Sequence, residues 1–188
     1  MLIVFNKPYG IISQFTRDGS TNGTLGDFDF PRDIYPIGRL DADSEGLLLL
    51  SDETRLNAQL LLPEHAHKRI YHVQVEGIPD EQDMNLLQGG TLVIQGHTIL
   101  PCSAALIHPI YQARIPPIRV RKTIPDSWIE LKMQEGKNRQ VRKMTAAIGH
   151  PTLRLIRVGI GEFLLKDIDP GTWRQITTEE RILIFSKR

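Results

Sequence analysis

The chain has 188 residues, with 23 Lys or Arg, 22 Asp or Glu and a formal net charge of +1. This length suits one domain, or one domain with two lobes, and allows a substantial hydrophobic core. The single cysteine, Cys102, excludes an internal disulfide and a thiol-based zinc site, so we expect an inert thiol in a reducing compartment. No apolar run approaches the roughly 20 residues that span a bilayer, and the start does not resemble a leader peptide; we expect a cytoplasmic protein.

Hydrophobic periodicity predicts helices and strands in no simple alternation. Strands are expected at residues 2–5, 46–51, 69–77, 91–94, 98–108, 117–122, 127–135 and 152–161. Residues 18–32 are rich in Gly, Asp, Ser and Thr and are expected to form a loop.

Helices are expected at residues 52–62, 80–88, 138–150 and 177–187. Ser51 or Asp52 is the predicted cap of the first helix, which should end at Pro63. Asn138 is the predicted cap of the third helix, which should end at Gly149. The pattern as a whole predicts an α+β protein with a large mixed or antiparallel sheet.

Positive charge is concentrated in one segment. Residues 114–157 hold eleven Lys or Arg against three acids, a net charge of +8, so the rest of the chain carries −7. Clustered cations of this kind favour a surface that binds the phosphates of a nucleic acid. An ordinary solvated face is the alternative that charge alone leaves open.

The stretch GRLDADSEGLLLLSDE, residues 38–53, places Asp41, Asp43 and Glu45 directly before an apolar run. A loop at the end of a buried strand is a common place for reactive groups, and an apolar floor would partly desolvate a carboxylate there. An ionised nucleophile in that place needs a nearby cation. A polar loop with Arg39 as a local ion-pair partner explains the charges equally well.

The segment EGKNRQVRKM can supply that cation. Arg139, Arg142 and Lys143 share one helical face, while Val141 and Met144 point towards the core. Arginine suits the task because its planar guanidinium holds a carboxylate with two hydrogen bonds and stays charged. A surface helix with ordinary basic residues is the alternative.

Five motifs occur in order: FNKPYG, GRLDADSEGLLLLSDE, RIYHVQVEG, EGKNRQVRKM with Gly149, and RLIRVGIGEFLLKDIDPGTWRQIT. Together they resemble the RsuA/RluB/RluE family of pseudouridine synthases over nearly the whole chain, and the RluE type most. The resemblance implies an enzyme that isomerises a specific uridine to pseudouridine in large-subunit (23S) ribosomal RNA, or alternatively in small-subunit ribosomal RNA or tRNA. It also implies the pseudouridine synthase catalytic fold, a large and mostly antiparallel sheet with flanking helices and a cleft between two lobes.

The resemblance assigns roles to individual residues. Asp41 matches the essential aspartate, Tyr71 the active-site tyrosine, and Arg142 the arginine that pairs with the aspartate. RNA contacts are expected from the following residues: Arg39, Lys7, Arg69, Lys137, Arg139, Gln140 and Lys143. Arg39 is placed beside the extruded nucleotide, and no metal or organic cofactor is implied.

Two features depart from the family pattern. The basic residue of the tyrosine strand is Arg69 instead of lysine, and the chain opens almost at Lys7 without the S4-type RNA-binding domain that precedes most relatives. We expect residues 1–188 to form a single catalytic domain with two interleaved subdomains, either because this type does without the S4 domain or because the chain is shortened. We also expect a monomer whose RNA affinity rests on its own basic face.

Two unrelated functions remain open at this point. A carboxylate-dependent glycosidase could use Asp41 with Asp43 or Glu45, although residues so close in sequence seldom face each other across a sugar. A non-catalytic RNA-binding module would explain the basic segment but leaves the residue 38–46 motif without a purpose.

Overall fold

The computed structural model describes residues 1–62, 67–118, 121 and 123–186. Its helices are α1 (Arg55–Leu61), α2 (Glu81–Gln88), α3 (Gln140–Ala147) and α4 (Thr178–Phe185), with a short 3-10 helix at Leu25–Asp27. Its strands are β1 (Leu2–Lys7), β2 (Ile11–Ile12), β3 (Gly23–Thr24), β4 (Tyr35–Ile37), β5 (Glu45–Ser51), β6 (Arg69–Glu76), β7 (Val93–Ile94), β8 (His97–Thr98), β9 (Ser103–Ile107), β10 (Asp126–Met133), β11 (Thr152–Ile160), β12 (Phe163–Leu164) and β13 (Trp173–Gln175). Over the described ranges, every helix is too short or too polar to cross a membrane.

The chain divides into two compact units. Unit 1 comprises Met1–Lys68 and Arg157–Arg188, and unit 2 comprises Arg69–Ile156. The division falls within strand β11. The predicted single catalytic domain with interleaved subdomains, and the cleft between two lobes, remain predictions.

Unit 1 is built around strand β5, all of whose residues are buried. In unit 1 the strand order is β13-β1-β5-β11, with β4 also paired to β5. Leu47 and Leu49 belong to one apolar cluster, while Leu48 and Leu50 belong to another. Because successive side chains of a strand point to opposite faces, an unbroken leucine run fills both clusters at once.

Unit 2 is an antiparallel arrangement covered by helices. Strand β10 pairs with β6 on one side and with β9 on the other, and Tyr71 lies opposite Leu131. Val141 and Met144 of α3 join Tyr71 and Leu131 in a single buried cluster. The apolar side of α3 therefore packs on the face of β6 that carries Tyr71.

Most predicted elements are confirmed, with differences at their ends. The strand expected at 98–108 is split because Pro101, which has no N–H for a ladder bond, separates β8 from β9. The cap of α1 is Thr54; Ser51 belongs to β5, and its hydroxyl donates to the Met1 carbonyl at 2.6 Å. The cap of α3 is Arg139 in the left-handed conformation, one residue after the predicted Asn138.

Some predictions fall on residues outside the described ranges. Pro63, expected to end the first helix, is one of them. Arg119, Val120 and Lys122 of the strand expected at 117–122 are others.

The α+β class with a large sheet and flanking helices is confirmed. The following strand pairs are antiparallel: β1–β5, β1–β13, β4–β5, β6–β10, β9–β10 and β11–β12.

Candidate active site

The carboxylate loop, residues 38–45, enters strand β5 in unit 1. Asp41 is half-buried, and its carbonyl accepts a hydrogen bond from the Ser44 amide at 3.0 Å. Both sequence neighbours of Asp41 are hydrogen-bonded to residues 10–13. The Ser13 hydroxyl donates to the Leu40 carbonyl at 2.7 Å and accepts from the Leu40 amide at 3.0 Å.

Ala42, the other neighbour of Asp41, is held by a different segment. Its carbonyl accepts from the Gly10 amide at 2.7 Å. Gly10 has φ +80°, a conformation that glycine adopts without strain. The backbone on both sides of Asp41 is therefore tied to residues 10–13, which restricts where its carboxylate can lie.

Lys7 lies beneath this loop and is fully buried. Its ammonium donates to the Pro8 carbonyl at 3.1 Å and to the Ile11 carbonyl at 2.7 Å. Burial lowers the pKa of Lys7 from 10.5 to about 7, although the carboxylates of Glu45, Asp43 and Asp41 act to raise it. This burial argues against the predicted phosphate contact, because a phosphate has no access to the ammonium.

Arg157 of β11 is a second buried cation of unit 1. Its Nε donates to the Leu47 carbonyl at 2.8 Å, and its charge opposes protonation of Lys7. Gly46 has φ +100° and lies against the Arg157 backbone, so closely that a Cβ would collide with it. The charge of Lys7 therefore partly compensates the carboxylates of Asp41, Asp43 and Glu45 at the edge of the core.

Tyr71 and Arg142 belong to unit 2. Tyr71 is 8% exposed and belongs to the cluster described above, so its ring is fixed by packing. Arg142 is half-buried on α3, directly after the buried Val141. The predicted pairing of Arg142 with Asp41 joins residues of different units and remains a prediction.

The basic turn, residues 135–139, precedes α3. The side chain of Gln140 accepts from the Lys137 amide at 3.0 Å and donates to the Glu135 carboxylate. Gln140 is 5% exposed and shapes the turn, which argues against its predicted RNA contact; that contact remains a prediction. The guanidinium of Arg69 donates to the Gln134 carbonyl at 3.3 Å and packs on Gly136.

A cavity of about 260 Å³ opens beside this turn. It is lined by Ile94, Gln95, His97, Ile99, Lys137, Asn138, Gln140 and Lys143. Lys143 donates to the Gln95 side chain at 2.7 Å, and the ammonium of Lys137 lies 3.6 Å from the Glu135 carboxylate. Lys137 and Lys143 therefore bring positive charge to this cavity. Arg139 is exposed, but its left-handed conformation at the cap places it outside α3, so the predicted helical face shared by Arg139, Arg142 and Lys143 is wrong for Arg139.

The basic segment is less uniform than its charge count indicates. Arg154 and Arg157 are buried, and Arg154 donates to the Gln112 carbonyl at 2.8 Å with its guanidinium over the Tyr111 ring. These two arginines are structural cations instead of members of a phosphate-binding surface. Arg39, by contrast, is exposed on the carboxylate loop, as a contact with an extruded nucleotide requires.

Comparisons with known proteins place this arrangement in a family. Residues 1–147 match the family model described as RNA pseudouridylate synthase. The "Ribosomal large subunit pseudouridine synthase E" of Xanthomonas campestris pv. campestris is 48% identical over 177 residues, which cover 93% of this chain and 94% of that protein. The chain belongs to the RNA pseudouridylate synthase family.

Two further comparisons extend this result. The "Ribosomal large subunit pseudouridine synthase B" of Bacillus subtilis is 34% identical over 93% of this chain and 67% of its own length. A solved structure entitled "Crystal structure of pseudouridylate synthase" superposes with a TM-score of 0.80 at 24% identity, covering 97% of this chain and 73% of that one. The predicted pseudouridine synthase fold is therefore confirmed.

In this RNA pseudouridylate synthase, sequence reasoning missed the residues that hold the carboxylate loop. Ser13 and Gly10 lie about 30 residues before Asp41, and no local pattern links them to it. Arg157 contributes to the charge count of the basic segment, but a charge count carries no information on burial. Lys7 is buried where β1 pairs with β5 and lies opposite Gly46, a contact between distant segments that no local pattern indicates.

Proposed function

We propose that this chain isomerises a specific uridine of large-subunit ribosomal RNA to pseudouridine, with Asp41 as its nucleophile. The observation that carries the proposal is the half-buried Asp41, whose flanking residues are both hydrogen-bonded to the segment 10–13. The choice of RNA is supported by relatives at 48% and 34% identity whose names both specify the large ribosomal subunit.

The reaction breaks the bond between uracil N1 and the ribose, turns the base, and joins carbon 5 to the same ribose carbon. The proton on carbon 5 is lost and N1 gains one, so the composition of the RNA is unchanged. An ionised Asp41 attacks the ribose carbon or the uracil ring to give a covalent intermediate, or accepts the ribose C2′ proton as the bond to N1 breaks to give a glycal-type intermediate. Fixing the backbone on both sides of Asp41 lowers the entropic cost of reaching the attacking geometry.

Tyr71 and Arg142 have supporting roles in this proposal. Arg142 keeps Asp41 ionised and limits its rotamers through a guanidinium–carboxylate pair. Tyr71, fixed by packing, stacks against the base and takes part in removing the proton from carbon 5. Both roles require the two units to bring these residues to Asp41.

Binding must also extrude the target nucleotide from its stack, which costs a few kcal/mol. Phosphate contacts from Lys137, Arg139 and Lys143 offset this cost. The exposed Arg39 stacks through its guanidinium in the space that the base leaves. Arg69 supports the basic turn and reaches the RNA backbone beside it.

The test is an assay of pseudouridine in transcribed large-subunit RNA, small-subunit RNA and tRNA, with free uracil measured in the same samples. We expect pseudouridine at one position of the large-subunit RNA and no free base. Asp41→Asn should lower turnover by at least about 1,000-fold while RNA affinity stays within a few-fold. The control is Asp33→Asn, an exposed aspartate at φ 60°, a conformation that asparagine also adopts.

Each contrary result has a defined meaning. Release of uracil would indicate a glycosidase, and an active Asp41→Asn variant would exclude the proposed nucleophile. Modification of small-subunit RNA or tRNA alone would overturn the proposed substrate and leave the reaction type intact.

A further inference from the structure

Lys7 is a buried cation for which the proposed reaction has no use. It is the last residue of β1 and lies opposite Gly46, the second residue of β5, so it stands at the junction between the carboxylate loop and the core. The structure exposes none of its surface. Burying an ammonium is costly unless hydrogen bonds and opposite charges compensate for the lost hydration.

The hydrogen bonds of Lys7 define a turn. Its ammonium donates to the carbonyls of Pro8 and Ile11, which close the segment 8–11 around it. Within that segment, Gly10 donates its amide to Ala42 and accepts from the Gly23 amide at 2.9 Å. The turn held by Lys7 therefore also holds the backbone of the residue that follows Asp41.

Electrostatic interactions also connect Lys7 with the carboxylate loop. Glu45, Asp43 and Asp41 all interact electrostatically with the Lys7 ammonium, and Arg157 is the opposing cation. An ammonium shielded from water acts on neighbouring carboxylates more strongly than a surface lysine does. Lys7 thus contacts the turn that holds the carboxylate loop and lies in the electric field of its three acids.

We propose that Lys7 is a positioning residue for Asp41, acting through the segment 8–11 and through its charge, and that it does not contact RNA. The inference rests on the proposed function, in which Asp41 is the nucleophile. A loss of Lys7 lets the Ala42 carbonyl and the carboxylate loop move, which displaces the reacting oxygen and leaves the RNA-binding surface of unit 2 unchanged.

The test replaces Lys7 with methionine, which has a similar length but neither charge nor donors. We expect kcat to fall about 100-fold, as an ångström-scale displacement of a reacting group does, with KM and RNA affinity unchanged. Lys166→Met, at an exposed lysine of the same unit, is the control and should behave like the unmodified protein. Lys7→Arg, which keeps charge and donors, should recover part of the lost kcat.

The split between kcat and KM decides the result. An unchanged kcat in Lys7→Met would overturn the proposal, and so would a weaker RNA affinity with kcat intact, since that outcome would restore the phosphate contact. Asp41→Asn measured in the same assay separates the two hypotheses. If that variant is inactive while Lys7→Met is fully active, only the positioning role fails; if it is active, the proposed function fails.

A measurement on the unmodified protein covers the case in which the variants do not fold. Burial lowers the pKa of Lys7 to about 7, so its ionisation should appear in nuclear magnetic resonance spectra between pH 6 and pH 8. We expect the Gly10 amide and the Ala42 carbonyl resonances to titrate together in that range. Resonances that do not follow the ionisation of Lys7 would show that the turn is independent of it, and would overturn the proposal.

Discussion

The carboxylate loop of unit 1 and the basic turn of unit 2 are both polar segments at the end of an element, but they are held in different ways. The backbone beside Asp41 is fixed by Ser13 and Gly10, above buried cations. The basic turn is shaped mainly by the neighbouring side chains of Glu135 and Gln140, and its cations stand in solvent. A group that forms a bond in the reaction needs a fixed position. A group that neutralises a phosphate can act from a flexible side chain in solvent.

The largest effect is expected at the entry of β5, where one substitution should disturb the packing next to the carboxylate loop and leave the basic turn unchanged. Gly46→Ala adds a methyl group that collides with the Arg157 backbone, at a φ of +100° that alanine rarely adopts. We expect a loss of more than about 2 kcal/mol in the free energy of unfolding, measured by urea denaturation.

Gly19→Ala is the matched control for that substitution. Gly19 has φ +85°, but no atom lies within 4 Å of its added Cβ. This variant should lose about 1 kcal/mol from backbone strain alone. Equal losses in the two variants would mean that the contact with Arg157 does not constrain β5.

A smaller effect is expected on the carboxylate loop itself. Ser13→Ala removes the hydroxyl that bonds both the carbonyl and the amide of Leu40. We expect kcat to fall about 10-fold with KM unchanged, together with a stability loss of about 1–3 kcal/mol. Ser20→Ala, at an exposed serine, is the comparison. A Ser13→Ala variant with normal kcat would contradict the idea that the carboxylate loop depends on the hydrogen bonds between Ser13 and Leu40.

Substitutions of the cations in and beside the basic turn should change RNA affinity instead. Lys143→Ala, on α3 beside the turn, removes one of the proposed phosphate contacts, so we expect RNA binding to weaken several-fold while kcat at saturating RNA stays constant. The dependence of log affinity on log salt concentration should become shallower by about one. A drop in kcat with an unchanged salt slope would assign Lys143 to the chemistry and remove the contrast between the two segments.

The smallest effect concerns a carboxylate of unit 1 that lies outside the loop. Hydrogen bonds from Arg181 lower the pKa of Glu53 to about 2. Burial acts in the opposite direction and raises this pKa, but its effect is smaller. A lowered carboxyl pKa stabilises the folded state above pH 4.5, and this stabilisation is lost as the pH falls towards 2.

Glu53→Gln should therefore reduce the steepness with which stability falls between pH 4.5 and pH 2, while activity at neutral pH stays normal. Thermal unfolding across that range measures the effect, with Asp33→Asn as the comparison. A steeper fall in the variant would contradict the assigned cause of the low pKa.

The sequence indicated the elements that depend on local pattern. The continuous apolar run of β5, the alternation in β6 and the helical face of α3 each carry their own evidence, and all three are confirmed. Asp41 also stands where the motif places it, half-buried at the entry of β5.

What the sequence did not indicate depends on contacts between distant segments. Lys7 and Gln140 look like ordinary polar residues in sequence, and only the pairing of β1 with β5 and the fold of the basic turn show that they are buried. The short strands β2, β3, β4, β12 and β13 were missed for a related reason, since two or three residues are too few to show a period.

The leucine run of β5 has one more consequence. Because Leu47 to Leu50 meet apolar neighbours on both faces, sliding the strand by one residue would exchange leucine for leucine, so the hydrophobic effect hardly distinguishes one alignment from the next. The alignment must be encoded at the two polar ends of the strand, by the lysine that faces a glycine and by the serine that bonds the first carbonyl of the chain. Altering the serine end should therefore yield conformers with a slipped β5 that keep nearly the full burial of the core.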